Sequence, residues 1–459
     1  MNLALPGEAV DTAPLIPDID YSPYSLKVST GRYHCPDYAT RERENLWMRC
    51  WQIAAHVSEL PEAGDWLVHG LFDQSYVLVR GRDGKVRGFV NACRHRGNAF
   101  CEGKGQSARF TCPYHNWSYG LDGACLAVAK PDFDGPVEEF VGAKEELGLI
   151  EIPVECFAGF VFINPDPNCA SLAEFLGDAA PQLAAYRLDE MIPVGMNVRE
   201  KIDCNWKVVN DAFQEGYHVQ GVHPQLVPFI DLMLERCGFF GDHAATTVPF
   251  STGVGEDSGA EAAVAAIEAL PVENFPGLAE LLPRFRVVVD RYREADGSLQ
   301  FPEGVDARVL FQQAARAAHT ARGLDVSQLT DAQLSDFQFW LLFPNVFIQI
   351  RAGESTVIFA VPHPSGDPNR CIWRATALLW LPEDQRAAAL EPLREIREDE
   401  HYPYFLALEQ DYEQMEVQQR GLRNRNMPTM TLTRQEPKVI HFHAMLDDWV
   451  DGGGLSPVG

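Results

Sequence analysis

Two short pairs of cysteine and histidine constrain this chain more than any other feature of its sequence. Cys93-Arg94-His95 is followed, after 16 intervening residues, by Cys112-Pro113-Tyr114-His115. Each pair comes at the end of a predicted short strand, where a loop can present a thiol and an imidazole to one point. Two thiolates and two imidazoles suit either a zinc ion or an iron–sulfur cluster. Because each loop offers one residue of each kind, the pattern favours a [2Fe–2S] cluster, in which two Cys hold one iron and two His hold the other.

Two other interpretations of these four residues stay open at this point. A structural zinc site would use the same ligands, although zinc fingers tend to pair Cys with Cys and His with His. The cysteines could also be small buried hydrophobic residues, with histidines that are satisfied in a core. The spacing of the two pairs favours the cluster over both.

The sequence around the two pairs predicts a small antiparallel β domain over residues 44–165. Short runs rich in Val, Leu and aromatic residues recur there at intervals of about 8–12 residues, which is typical of small all-β domains. Between the runs Tyr76–Arg80 and Val86–Asn91 lies Asp83-Gly84, a pair expected of a tight hairpin. Asn164-Pro165-Asp166-Pro167 provides a plausible exit from the domain.

The rest of the chain predicts a larger α+β domain over residues 166–459, so that the fold class is a β domain followed by an α+β domain. Residues 1–43 are predicted to form an arm that packs on the larger domain, and residues from about 244 to 335 a largely helical insertion. Three strand-like stretches and two helices follow this insertion: Phe337–Ile350, Thr356–Pro362, Cys371–Leu381, a helix from about 384 and one over 403–421.

A second group of polar residues lies in the larger domain at Glu215, His218 and His223. Two histidines with a carboxylate on one face of a metal are typical of non-haem Fe(II) oxygenases, which leave coordination positions open for O₂. The histidines are five residues apart, slightly more than one helical turn, so we expect the helix to break between them, as Gly221 allows. The alternative is a pair of unrelated surface or core histidines.

The carboxylate of this predicted site need not be local. Several acidic residues lie on the predicted helix over 403–421, including Glu409, Asp411 and Glu413. Taken alone, they are typical of a solvated helix face.

Both groups together resemble the Rieske non-haem iron ring-hydroxylating oxygenases, specifically the alpha subunit that forms the terminal oxygenase. The resemblance rests on Cys-x-His-Arg-Gly and Cys-Pro-Tyr-His-x-Trp, and it implies that Cys93 and Cys112 bind one iron of the cluster and His95 and His115 the other. It also implies a helix-grip-like catalytic domain, in which helices cover an antiparallel sheet. Asn116 stands where many relatives have Gly, at a loop position that is not a ligand.

The resemblance extends to the distant carboxylates. The family pattern Asp-x4-Glu-x2-Gln-Arg-Gly fits Asp411, Glu416 and Gln419-Arg420-Gly421 without gaps. It implies that Asp411 joins His218 and His223 in binding one mononuclear Fe(II). Glu215 would then carry electrons from His115 of a neighbouring subunit to His218; the alternative is that it only orients His218.

The resemblance implies a terminal oxygenase that uses O₂ and electrons from a separate NAD(P)H-dependent reductase, with or without a ferredoxin between them. A separate reductase is expected because no Gly-x-Gly-x-x-Gly follows a predicted strand. The expected assembly is a head-to-tail homotrimer, with which a small beta subunit is compatible. A Rieske electron carrier without oxygenase chemistry and a zinc-stabilised binding protein are the alternatives from other classes.

We expect the substrate to be a hydrophobic aromatic or alicyclic compound, hydroxylated by mono- or dioxygenation. This expectation rests on a set of aromatic residues compatible with an apolar pocket: Phe213, Phe229, Phe239, Phe240, Phe250, Trp340 and Phe347. The alternative is oxidative demethylation of a methylated amine, in particular a quaternary ammonium compound, or of a methyl ether. Glu215 motivates it, since many relatives carry Asp there and Glu resembles the branch that acts on quaternary ammonium compounds.

Charge and composition exclude several other classes. The chain has 38 basic and 65 acidic residues, a net charge of −27, which disfavours binding to nucleic acid or to an anionic membrane. Residues 1–15 contain no basic residue and do not resemble a secretory signal, and the apolar runs fall short of the roughly 20 residues of a membrane span. Eleven cysteines without a signal sequence favour reduced thiols. We therefore expect a cytoplasmic protein.

Overall fold

The protein was studied as a computed structural model, which describes residues 19, 21, 24–129, 144–227, 235–249, 259–270, 272 and 277–451. Within these residues the chain divides into two compact units. The smaller unit comprises residues 40–175 and 362–367, and the larger unit comprises the described residues among 1–39, 176–361 and 368–459.

The two units differ in secondary structure, since most helices belong to the larger one. The strands, in chain order, are β1 (Lys27–Ser29), β2 (Gln52–His56), β3 (Asp65–Leu71), β4 (Gln74–Arg80), β5 (Val86–Val90), β6 (Lys104–Gln106), β7 (Phe110–Thr111), β8 (Ser118–Tyr119), β9 (Cys125–Ala127), β10 (Glu151–Ile152), β11 (Val154–Phe157), β12 (Phe160–Ile163), β13 (Met191–Ile202), β14 (Arg236–Phe240), β15 (His243–Val248), β16 (Phe337–Leu342), β17 (Val346–Arg351), β18 (Glu354–Pro362), β19 (Cys371–Trp380), β20 (Arg394–Glu395) and β21 (Thr429–Thr431). The described α-helices are α1 (Pro36–Glu42), α2 (Leu172–Leu176), α3 (Ala179–Ala184), α4 (Trp206–Phe213), α5 (Val219–Val222), α6 (Gly259–Glu268), α7 (Leu278–Val289), α8 (Ala307–Arg322), α9 (Asp331–Ser335), α10 (Glu383–Ala389), α11 (Leu406–Leu422) and α12 (Pro437–Val450). No helix in these ranges has both the length and the apolar character needed to cross a bilayer.

The smaller unit consists of small antiparallel sheets. Their strand orders are β10-β5-β4-β3-β6, β11-β12-β2 and β7-β8-β9. The predicted hairpin joins β4 to β5, and its turn places Gly84 at φ +79°, a left-handed conformation that glycine adopts without steric cost. Cys93 and Cys112 lie in the buried core of this unit together with Phe89, Phe110 and Tyr119, among others. The predicted cluster loops are therefore anchored on a packed β core.

The larger unit is built on one eight-stranded sheet, β14-β15-β16-β17-β18-β19-β13-β20. Helix α4 packs against β17 and β19 and against α11, while α12 packs against β15. Helices thus cover this sheet, and the predicted fold class, a small β domain and a larger α+β domain, is confirmed. The predicted iron ligands lie on or next to two of these helices: Asp411 belongs to α11, and His218 and His223 follow α4.

Two predicted elements differ from the structure. The stretch Phe337–Ile350, expected as one strand, forms β16 and β17, because Phe343-Pro344-Asn345 reverses the chain and Pro344 has no N–H to donate to a ladder. Residues 244–248 belong to strand β15, although the sequence places them in the helical insertion. Their Ala and Thr side chains give little alternation, and pairing with β14 and β16 decides their conformation.

The described part of the N-terminal segment contacts the rest of the larger unit. Strand β1 pairs with β21, and the hydroxyl of Tyr33 donates to Asp211 Oδ2 at 2.5 Å. The guanidinium of Arg32 contacts His443 Nδ1 at 3.0 Å and donates to Asp447 at 2.9 Å. Burial, followed by the charge of Asp211, raises the pKa of Tyr33 well above its ordinary value, so its hydroxyl stays protonated and donates to α4.

Asn205 caps α4 and should matter for stability. Its side chain accepts from Lys207 N at 3.0 Å and donates to Pro368 O at 2.6 Å, and the residue is 2% exposed. We predict that Asn205→Ala lowers the free energy of unfolding by about 1–3 kcal/mol, because both the cap and a buried hydrogen bond are lost. Asn205→Ser, which keeps a neutral cap acceptor, should lose less. Urea unfolding followed by circular dichroism measures both, and equal stability of Asn205→Ala and the unmodified protein would contradict the capping role.

Candidate metal centres

The two Cys/His loops of the smaller unit are closed by the same hydrogen bonds. Cys93 O accepts from Gly97 N at 2.9 Å and Cys93 N donates to Asn98 O at 2.9 Å. In the second loop Cys112 O accepts from Asn116 N at 3.0 Å and Cys112 N donates to Trp117 O at 2.8 Å. In each loop, the cysteine backbone is therefore bonded to the residues four and five positions later.

In both loops, the residue four positions after the cysteine has a left-handed backbone conformation. Gly97 has φ +72° and Asn116 has φ +57°. Asparagine is among the few side chains that adopt this conformation readily. The departure at Asn116 thus preserves the backbone geometry that glycine would give.

The side chains of these loops gather two thiols and two imidazoles. Cys93 and Cys112 are buried free cysteines, at 3% and 1% exposure. The Nδ1 atoms of His95 and His115 lie 3.2 Å apart, so that both rings direct a nitrogen to the same place. Desolvation, together with the charges of His95 and Arg96, lowers the pKa of His115, which favours the neutral imidazole that a metal requires.

Two aromatic residues support this set. Trp117 stacks on His95 with ring centroids 5.0 Å apart, and the hydroxyl of Tyr119 lies 3.1 Å from Cys93 Sγ. The same hydroxyl accepts from Arg94 N at 3.1 Å. Sequence analysis missed Tyr119, because its contact with Cys93 depends on the pairing of β8 rather than on the motif.

The spacing of these ligand atoms distinguishes a cluster from a single ion. Among the residues that the structure describes, only one set, at His218, His223 and Asp411, brings three such atoms within 4.8 Å of one another. A zinc ion would need all four Cys and His atoms at bonding distance from one point, whereas a [2Fe–2S] cluster distributes its ligands over two irons. The arrangement of Cys93, His95, Cys112 and His115 fits the cluster.

The second centre lies in the larger unit and joins two distant segments. His223 Nε2 is 2.9 Å from Asp411 Oδ1, and His218 Nε2 is 3.6 Å from the same oxygen. Asp411 belongs to α11, whereas the two histidines flank α5, and the residues of the closer pair are 188 positions apart in sequence. His223 and Asp411 are buried and the His218 side chain is 23% exposed, so the group is reachable from one side.

Hydrogen bonds to Nδ1 orient both imidazoles. Glu215 Oε1 is 2.7 Å from His218 Nδ1, and its other oxygen accepts from His218 N at 3.0 Å. Gln410 Oε1 is 2.9 Å from His223 Nδ1 and also accepts from Gln225 Nε2 at 2.7 Å. With Nδ1 donating to these oxygens, each histidine presents the lone pair of Nε2 toward Asp411, as a metal ligand must. Sequence analysis missed Gln410, although it directly precedes Asp411.

The local backbone differs from the expected break at Gly221. The chain makes one helical turn at Val219–Val222, with Val222 N donating to His218 O at 2.8 Å. It leaves the helical conformation only at His223, where φ is −119° and ψ is 58°. This change at the last residue redirects the second imidazole, so no break between the histidines is needed.

The carboxylates beside His218 set its charge. Burial alone would lower the pKa of His218, but the hydrogen bond that its Nδ1 donates to Glu215 and the negative charges of Glu215 and Asp411 outweigh burial and raise it. The two carboxylates therefore stabilise a positive charge on the imidazole of His218. A divalent metal ion that displaces the imidazole proton would be stabilised by the same two carboxylates.

Aromatic side chains pack at the end of the helix that precedes the histidines. Phe213, at the end of α4, lies 5.3 Å from Phe347 and 6.1 Å from Trp373 between ring centroids. Of the other aromatic residues singled out in the sequence, Phe240 packs on Trp340 at 5.0 Å and Phe239 stacks on His441 at 4.5 Å. The remaining two, Phe229 and Phe250, lie outside the described residues. Of the predicted set, Phe213 and Phe347 thus pack on each other at the end of the helix that precedes the histidines.

Two family models match the chain, one for each unit. The model "Ring hydroxylating alpha subunit (catalytic domain)" matches residues 182–452, and the model "Rieske [2Fe-2S] domain" matches residues 50–140. Between them they include all eight residues proposed from the sequence for the two centres.

Individual proteins give more limited similarities. The carnitine monooxygenase oxygenase subunit of Escherichia coli K12 is 38% identical over 185 residues, 40% of this chain and 48% of that protein. The glycine betaine monooxygenase oxygenase subunit of Chromohalobacter salexigens is 32% identical over 200 residues, 42% of each. The chain thus matches about half the length of these curated relatives. A solved quaternary ammonium Rieske monooxygenase, described in terms of carnitine oxidation and inter-subunit electron transfer, superposes with TM-score 0.63 at 20% identity, covering 96% of this chain and 99% of that one.

The visible spectrum tests the Cys/His centre. We predict that Cys93→Ser abolishes the red-brown absorption of the purified protein, because the first iron loses one of its two thiolates. Cys101→Ser is the matched control, since Cys101 packs against the same core but lies outside the set. Absorption that survives Cys93→Ser would show that the cluster is held elsewhere.

Iron analysis tests the second centre. We predict that Asp411→Ala removes one iron per chain and leaves the cluster spectrum unchanged, because a site with three protein ligands cannot spare one. Glu413→Ala, at an exposed position of the same helix, should keep all iron. Loss of iron from Glu413→Ala but not from Asp411→Ala would move the ligand to the other acid.

Proposed function

The chain belongs to the family of ring-hydroxylating alpha subunits with a Rieske [2Fe–2S] domain, and on this premise we propose that it is the terminal oxygenase of a multicomponent monooxygenase acting on a quaternary ammonium compound. The observation that carries the proposal is the convergence of His218, His223 and Asp411, with Glu215 bonded to the first histidine. A chain that only carried electrons would not need this second centre.

The residues of both centres fit the cofactors of the family. Cys93, His95, Cys112 and His115 would hold the [2Fe–2S] cluster, and His218, His223 and Asp411 the mononuclear Fe(II). When bound, these groups supply single electrons and activate O₂. Glu215 and Gln410 keep Nδ1 of the two histidines engaged, so that Nε2 stays available to the metal.

The proposed substrate differs from the aromatic or alicyclic compound expected from the sequence. The curated relatives described above are named for carnitine and glycine betaine, which favours the alternative, a methylated amine. An apolar pocket alone would not select between the two substrate classes.

The chemistry of such a substrate determines the products. One O₂, two electrons and two protons convert a C–H bond into C–OH and release one water. When the hydroxylated carbon is bonded to nitrogen, its C–N bond breaks to give an amine and a carbonyl compound. The proposed reaction is therefore an oxidative removal of one substituent from nitrogen.

A substrate screen tests the proposed function. The iron-loaded protein, supplied with NADH or NADPH and a Rieske-oxygenase reductase, is assayed for O₂ consumption with carnitine, glycine betaine, choline, naphthalene and toluene, and the products are identified. We expect O₂ consumption coupled to an amine product with at least one of the three ammonium compounds. Turnover of naphthalene or toluene alone would contradict the proposed substrate and favour an aromatic one.

The electron route defines the proposed assembly. Electrons would enter from a separate reductase, with or without a ferredoxin, and pass from the cluster of one chain through Glu215 to the iron of its neighbour in a homotrimeric ring. Within one chain, Glu215 already bonds to both the backbone and the ring of His218. A heterologous contact of this kind must close on itself, which a trimer does.

Mixed rings test this route. We predict that Glu215→Gln keeps both metals but turns over slowly, since it removes the charge that holds the imidazole tautomers, and that Cys93→Ser is inactive. Co-expressed rings of the two variants should recover activity. In such rings, the intact cluster of a Glu215→Gln chain lies beside an intact Glu215 and iron in its Cys93→Ser neighbour.

The control combines both substitutions in one chain and co-expresses it with unmodified chains at the same ratio. If the mixed rings are no more active than each variant alone, the inter-subunit route is contradicted. A fully active monomer in light scattering would contradict it as well.

A further inference from the structure

A cavity of about 190 Å³ lies on the large sheet. Its walls are mainly apolar and come from β13, from β16 to β19 and from Phe405, which directly precedes α11; Met196, Phe337 and Leu378 are among the apolar residues, and Gln349, Arg351 and Glu354 are among the polar ones. None of His218, His223 and Asp411 lines it. The cavity is large enough for a small organic molecule and has no role in the reaction proposed above.

One charged side chain with unused donors reaches this cavity. Arg351 is 3% exposed and lines the cavity from the end of β17. Its guanidinium bonds through Nη2 to Glu354, which also accepts from Gly277 N at 2.7 Å. Its guanidinium also lies over the ring of Phe337, 4.9 Å from the ring centroid. Within the part of the chain that the structure describes, Nε and Nη1 of Arg351 donate to no protein acceptor and are not among the buried polar atoms without a partner, so they are accessible to water or to a ligand.

The position of Arg351 separates this cavity from the iron site. Phe347, Gln349 and Arg351 alternate along β17 and so lie on one face of the sheet. Phe347 contacts Phe213 beside the iron-binding segment. Four residues of strand span about 13 Å, so Arg351 lies well beyond that contact.

We propose that this cavity is a second binding site, which takes a small monocarboxylate with an apolar tail. Guanidinium N–H groups bind carboxylate oxygens through charge-assisted hydrogen bonds, and Arg351 keeps N–H groups that Glu354 does not use. The apolar walls around Phe337 and Phe405 would hold the tail. Glu354 keeps the charge of the pair near zero, which disfavours doubly charged anions such as phosphate.

Equilibrium binding to the metal-loaded protein tests the proposal without any turnover. Hexanoate is titrated in a calorimeter, with 1-hexanol and hexylammonium as probes of the same length. We expect hexanoate to bind one molecule per chain and the two other probes at least tenfold more weakly. Arg351→Gln should weaken hexanoate binding at least tenfold. Arg351→Lys should weaken hexanoate binding less, because lysine keeps the positive charge but lacks the several N–H donors of the guanidinium. Glu354→Gln should strengthen it, because a competing negative charge is removed.

Two controls make the assignment specific. Arg308→Gln breaks an ion pair between a half-buried arginine and the buried Asp336, 2.8 Å apart and outside the cavity, and should leave hexanoate binding unchanged. Asp411→Ala should also bind hexanoate as the unmodified protein does, which holds whether or not the proposed oxygenase function is correct. Absence of hexanoate binding, equal binding to Arg351→Gln, or loss of binding in Asp411→Ala would overturn the proposal.

Discussion

The candidate iron site depends on the hydrogen bonds that hold Nδ1 of its two histidines. Glu215 and Gln410 occupy these nitrogens at 2.7 and 2.9 Å, so both Nε2 atoms face Asp411. Without them either ring could turn or change tautomer, and the three ligand atoms would no longer lie within 4.8 Å. The negative charges of Glu215 and Asp411 raise the pKa of His218, and the same charges attract a metal cation, which must displace the proton to bind.

The two centres are built on different kinds of scaffold. The Cys/His loops rest on the β core of the smaller unit, where buried thiols lie beneath more exposed imidazoles. The other centre joins α11 to the segment after α4, and both helices pack on the large sheet or on each other. This difference suits their chemistry, since a cluster needs a rigid, partly exposed holder and an oxygenase iron needs a covered site with an open side.

Local patterns predicted much of the first centre, whereas long-range packing determined the second. Both cluster loops are complete within about 25 residues, so spacing alone indicated the ligand set. The pairing of Asp411 with His223 spans 188 positions, and only a family pattern pointed to it among several acidic neighbours. Gln410 and Tyr119 could not be predicted, because their roles depend on which elements pack together. Strand β15 was missed for the same reason, since its Ala and Thr residues have no strong preference of their own.

The central claim is that one chain holds both a [2Fe–2S] cluster and a separate iron, and metal analysis of the purified protein tests it most directly. Iron and zinc are counted by mass spectrometry and acid-labile sulfide by a colorimetric assay. We predict about three irons and about two sulfides per chain, without zinc, as one cluster and one Fe(II) require. Two irons with two sulfides, even after anaerobic incubation with Fe(II), would show that the protein holds the cluster alone and is an electron carrier. Zinc without sulfide would contradict both centres.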